Sequence, residues 1–171
     1  LLMCSAIISD TLIFRSPTCT EMDREAGKAL AEIAGINIKE HAHEMFFAGS
    51  NISEKTAKEL FTGDFKRFSI GDTTFGIGQV SCMDGEELDQ VKKKVMTYMK
   101  EQYKSLGVNM LYFMLTDIIK PGTELLCVGD GAMELVERAF GVQGSDDVVY
   151  LPGVVSRKKQ VVPEIMMEIT Q

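Results

Sequence analysis

The chain has 171 residues, 45% of them hydrophobic and 25% charged, and a formal net charge of -7. That is enough apolar material for one hydrophobic core or two small ones, and the acidic balance argues against a nucleic-acid surface working through many phosphate contacts. Cys4, Cys19, Cys82 and Cys127 are widely spaced without a CxxC pair, a pattern that fits packed, reduced thiols in the cytoplasm rather than a disulfide framework or a zinc site.

In chain order, residues 1–14 are apolar nearly all round and predict a first helix buried on most sides. The stretch has no basic leader and is too short, and too polar at Ser5, Ser9 and Asp10, to span a bilayer. Asp10 is its single carboxylate, and a buried ionised Asp is costly unless paired or bound to metal. Thr20 and Asp23 form a capping box for a second helix, whose Ala26, Ala29, Leu30 and Ile33 share a face before Gly35 ends it. A third helix is predicted over 39–48, closed by Gly49, and Ser53 is suited to cap the next short helix.

The remainder reads as an α/β unit. Residues 65–70 and 73–81 predict strands joined by a tight turn at Gly71 and Asp72. Over 86–105, Leu88, Val91, Val95, Met99 and Tyr103 recur every three or four residues and form one helical stripe, ended by Gly107. Residues 108–119 suit a central strand, and Pro121 with Gly122 turns the chain into another strand over 124–128. A helix, a loop and a basic motif complete the unit.

That motif, Ser156-Arg157-Lys158-Lys159-Gln160, places three cations together against the global charge. Arg offers a planar fork and Lys a mobile point charge, so the pair can grip different oxygens of one polyanion, although a solvated basic turn has the same composition. Other features carry less. Gly129-Asp130-Gly131 lacks a P-loop lysine and reads as a turn, and His41 and His43 point apart on a helix, which disfavours a shared metal. The methionines fall at core positions, and Thr116 with Asp117 suits hydrogen bonding at a strand end as well as chemistry.

Taken in order, SAIISDTLIFRSPTCT, AGKALAEIAGINIKE, MFFAGSNISEKTAKEL with Lys66 after it, YFMLTDI and GVVSRKKQVVP resemble the manganese-dependent inorganic pyrophosphatases of family II, within the DHH phosphoesterase superfamily. The resemblance spans essentially the whole chain but only the later part of such an enzyme; the opening His and Asp ligands and the DHH signature are not in these residues. It implies an α/β architecture: residues 1–48 as the helical tail of the metal-binding domain, 49–53 as a linker, and 54–171 as a mixed-sheet substrate-binding domain with helices packed on the sheet.

It further implies Asp10 as a ligand of the catalytic metal, and Lys66, Arg157 and Lys158 as the cations that hold pyrophosphate during hydrolysis to two phosphates. Lys159 is assigned to solvent or a supporting role and Arg15 to structure. The cofactor implied is Mn2+, with Mg2+ or Co2+ as alternatives and most ligands upstream. The implied partners are pyrophosphate, the amino-terminal DHH domain and a second copy in a homodimer, with no nucleic acid and no membrane. On the same resemblance the site lies between two domains, and the fragment alone is inactive. An exopolyphosphatase, a non-catalytic anion-binding regulatory module and a membrane-associated phosphate-binding protein are the other readings.

Overall fold

A computed structural model describes residues 1–49, 52, 54–83 and 85–171, and the chain divides into two units, Leu1–Asn51 and Ile52–Gln171. Of the expected linker, Ser50, Asn51 and Ser53 lie outside the described residues.

The first unit contains α1 (Leu2–Asp10), α2 (Glu21–Ala34) and α3 (Ile38–Gly49), packed around Cys4, Ile8, Ala31 and Ala42. Helix α1 is shorter and more exposed than its composition predicts: Leu1, Leu2 and Met3 are 61%, 86% and 69% exposed, and only Cys4 and Ile8 on the helix are buried. It stops at Asp10 because Thr11 turns its hydroxyl back onto the Ile7 carbonyl at 2.6 Å while accepting the Phe14 amide at 3.1 Å. The Ile13 amide then reaches the Ile8 carbonyl at 2.9 Å, and Leu12, Ile13 and Phe14 take φ values of 48°, 56° and 63°.

Left-handed backbone costs an L-residue about 1–2 kcal/mol, so three in a row need support. Packing provides it: the Phe14 ring lies where a Cβ on Gly27 would sit 2.7 Å from its Cζ, and the Arg24 guanidinium stands 6.0 Å from the ring centroid. The second helix begins as its sequence predicts, with Thr20 and Asp23 capping each other reciprocally, and ends at Gly35 with φ 65°.

In the second unit, α4 (Ala57–Gly63) starts from Thr56 rather than Ser53; the Thr56 hydroxyl accepts the Glu59 amide and the Glu59 carboxylate accepts the Thr56 amide at 2.9 Å. The sheet follows: β1 (Phe65–Ile70), β2 (Thr73–Cys82), β3 (Met110–Asp117), β4 (Gly122–Val128) and β5 (Val148–Pro152), in that spatial order. Only β2 and β3 are parallel, because α5 (Gly85–Leu106) crosses between them; the other neighbours are antiparallel.

The expected loop after α6 (Ala132–Phe140) contains β5, an edge strand of five residues that ends in Pro152. Its alternation is too brief to read from sequence, and proline at the edge costs no ladder bond. A π-helical turn (Arg157–Val161) and α7 (Val162–Ile169) end the chain. Both sheet faces are covered: α6, α7 and the π-turn enclose Ile77, Tyr112, Val149 and Val161, while α4 and α5 enclose Phe61, Val95, Leu111 and Phe113. Gly78 on β2 makes room on that second face, since a Cβ there would lie 2.5 Å from the Phe113 ring.

Candidate functional site

The basic motif leaves β5 through Gly153, whose φ of 74° turns the chain back over the sheet. Side chains then immobilise the backbone ahead of the cations. The Gln160 carboxamide oxygen accepts the amides of Val155 and Ser156, each at 3.0 Å, and its nitrogen donates to the Gly153 carbonyl at 3.1 Å.

From below, the Thr123 hydroxyl donates to the Val154 carbonyl at 2.6 Å, which leaves its oxygen to accept from Thr116 at 3.0 Å. Thr116 in turn lies 3.5 Å from the Gln79 amide nitrogen, which also donates to the Val155 carbonyl at 3.3 Å. Thr116 and Thr123 are fully buried, so this chain of bonds is a fixed floor rather than a solvated loop. At the end of β3 the Asp117 carboxylate accepts the amides of Ile119 and Lys120 at 2.7 and 2.9 Å.

On that floor the π-turn opens with Ser156, whose hydroxyl accepts the Lys159 amide, and the wide turn buries its first and last residues, Arg157 and Val161. Arg157 faces inward and is 7% exposed; Lys158 and Lys159 are exposed. Arg157 is therefore not the free fork that composition suggests. Its Nη1 donates to the Asp64 carbonyl at 2.7 Å and to the Ile77 carbonyl at 3.1 Å, and its Nη2 to Asp64 Oδ1 at 2.6 Å.

These bonds tie the carboxyl-terminal motif to the start of β1, 93 residues earlier. Lys66 stands on β1 opposite Ile77 in the antiparallel register, so it shares a sheet face with Ile77, the face on which the π-turn packs. The fold thus gathers Lys66 and Arg157 around one cross-strand pair, with exposed Lys158 next along the turn. Asp64 was not singled out by sequence; the bent junction between α4 and β1 gives no periodic signal that it would face a cation so distant in the chain.

Asp10, in the first unit, is exposed at the end of α1, which corrects its reading as a buried carboxylate. The strained turn of Leu12, Ile13 and Phe14 follows it directly. Among the described residues no three His, Cys, Asp or Glu side chains group to hold a metal ion. His41 is engaged within the first unit, its Nε2 lying 2.8 Å from the Ser5 hydroxyl. All four cysteines are free, and burial pushes the Cys127 thiol far up and out of reactivity. Among the described residues no helix is long and apolar enough to cross a membrane.

The comparisons agree with this architecture. The chain is 47% identical over 168 residues to a protein of Clostridium acetobutylicum named a probable manganese-dependent inorganic pyrophosphatase, covering 98% of this chain and 54% of that one. It is 46% identical over 169 residues to the cobalt-dependent inorganic pyrophosphatase of Clostridium perfringens, covering 99% of this chain and 31% of the relative. A crystal structure from Methanococcus jannaschii, titled as a family II inorganic pyrophosphatase, superposes with a TM-score of 0.86 at 42% identity, over 99% of this chain and 55% of that one. This chain therefore spans about half the length, or less, of the relatives it matches. The DHHA2 domain matches residues 43–167, most of the chain, and the chain belongs to the DHHA2 domain family.

Proposed function

We propose that this chain is the carboxyl-terminal portion of a metal-dependent inorganic pyrophosphatase that hydrolyses pyrophosphate to two phosphates. The observation that carries the proposal is identity of 46–47% across nearly all of the chain to relatives bearing that activity in their names. In this reading residues 1–48 end the metal-binding domain, 49–53 link, and 54–171 form the substrate-binding domain. The cofactor is manganese, with cobalt or magnesium as alternatives, and Asp10 supplies one ligand while the others come from outside this chain. The complete protein works in the cytoplasm as a homodimer.

The chemistry asked of Lys66, Arg157 and Lys158 is electrostatic. A phosphoanhydride repels an incoming oxygen nucleophile, and charge grows on the departing phosphate as the bridging bond breaks. Cations held in place need no reorganisation when that charge appears, which is why a preformed donor in a water-poor site contributes several kcal/mol. Arg157, fixed by three hydrogen bonds, suits orientation; exposed Lys158 and Lys66 suit neutralisation of the outer oxygens.

The test is phosphate release from pyrophosphate by the complete protein with manganese, against the 171-residue chain alone, which is expected to be inactive. Lys158→Ala in the complete protein should lower kcat/KM about a hundredfold, the scale of one lost transition-state donor, with thermal midpoint and metal content unchanged. Faster release from long-chain polyphosphate than from pyrophosphate would reassign the substrate, and equal turnover by the fragment would refute the division of labour.

A further inference from the structure

Of the five N–H groups on a guanidinium, Arg157 uses three inside the protein: both on Nη1 and one on Nη2. Asp64 takes the end of the plane, its carbonyl receiving Nη1 and its carboxylate receiving Nη2. The two groups left, Nε–H and the second Nη2–H, lie along one side edge and point the same way, which is the geometry of a bidentate grip on two oxygens of one phosphoryl group. That edge is not sealed. Among the described residues no buried side-chain nitrogen or oxygen lacks a hydrogen-bond partner, so Nε, which no bond occupies, reaches solvent although the residue is only 7% exposed.

We propose that Asp64 is a positioning residue for pyrophosphate hydrolysis: it holds the Arg157 guanidinium by its end and so presents the Nε and Nη2 edge to the substrate. The inference rests on the functional reading above. An unrestrained arginine at this point could rotate about its terminal bonds and offer any edge. With Asp64 bound on two nitrogens and the Ile77 carbonyl on a third hydrogen, the plane has one orientation. Asp64 lies two residues before Lys66, so the same junction that orients the fork also sets the start of the strand carrying the second cation. Its carboxylate is 51% exposed on its side chain, and it meets Arg157 from the solvent side rather than completing a sealed core.

The experiment is a double-mutant cycle in the complete, metal-loaded protein, using Asp64→Ala, Arg157→Ala and both together, with kcat and KM for pyrophosphate and the thermal midpoint measured for each. Asp64→Ala is expected to lower kcat/KM by up to about a hundredfold alone but less than about threefold on top of Arg157→Ala, because misplacement of a donor by about an ångström has that scale and matters only while the donor is present. Asp64→Asn, which retains an Oδ1 acceptor, is expected to stay within about fivefold of wild type. Should Asp64→Ala not fold, the cycle is run with Asp64→Asn, and any loss must again vanish in the Arg157→Ala background. Losses of Asp64 and Arg157 that multiply, or an Asn variant no better than Ala, overturn the positioning role while leaving pyrophosphatase activity intact. A complete protein without pyrophosphatase activity instead overturns the functional reading and this inference together.

Discussion

Replacing Arg157 with lysine separates charge from shape at the residue where fold and site meet. The guanidinium holds three acceptors at 2.6, 2.7 and 3.1 Å from two different nitrogens, whereas a lysine ammonium ends in a single atom and cannot occupy both positions. With Asp64 keeping a cation beside it, no charge is orphaned, so the cost is that of the bonds lost. Two charge-assisted hydrogen bonds at about 1.5 kcal/mol or more each make about 3 kcal/mol. For a domain of this size about 4 °C of thermal midpoint accompanies each kcal/mol, so Arg157→Lys should melt about 12 °C below wild type by circular dichroism or calorimetry of the 171-residue chain. In the complete protein the variant should also lower kcat about a hundredfold at a temperature where it remains folded, since the fork is gone. A midpoint within about 3 °C of wild type would refute the tie between the π-turn and β1. Near-normal kinetics combined with a crippling Lys159→Ala would place the active cations elsewhere in the motif.

Asp10→Ala in the complete protein should weaken metal retention, read as manganese per chain after gel filtration, while the helices of the first unit persist because the exposed carboxylate supports none of its packing; unchanged manganese would remove Asp10 from the ligand set. Lys92 supplies a pH test: burial pulls its ammonium down, but Glu124 at 2.6 Å and Asp89 at 2.9 Å outweigh that and hold it above the ordinary 10.5. A value raised on folding adds stability that is complete below 10.5 and lost as pH rises through the higher folded value, so Glu124→Gln should reduce the midpoint modestly at pH 9 and lose its effect in strong alkali. An effect of Glu124→Gln that grows with pH would show that the pair is not what stabilises the folded state.

Much of the fold was legible because its signals are local. A Thr-x-x-Asp box, a glycine after a helix and an apolar stripe at three and four residues each report backbone geometry within one or two turns, and Thr20, Gly35, Gly107 and the stripe from Leu88 to Tyr103 lie where those rules place them. Helix α1 misled for the same reason. Its composition is apolar all round, but the Thr11 hydroxyl competes for the Ile7 carbonyl and ends the helix, and that competition depends on Phe14 finding the groove at Gly27. Strand β5 was missed because an edge strand of five residues closed by proline has almost no pattern of its own; its identity comes from the β4 ladder.

Which residues carry charge, and in what chemistry, is written in the order of the amino acids: a run of Arg157, Lys158 and Lys159, a Lys66 in a strand, a lone Asp10. Whether each cation faces solvent or protein was decided only by tertiary structure. Arg157 is bound because a π-turn rotates it inward onto Asp64 and Ile77, groups that are 93 and 80 residues away, while its neighbour Lys158 is rotated out by the same turn. A hydrogen bond is a property of two partners within about 3 Å, and sequence separation holds no information about that distance until the sheet register brings β1, β2 and the motif together.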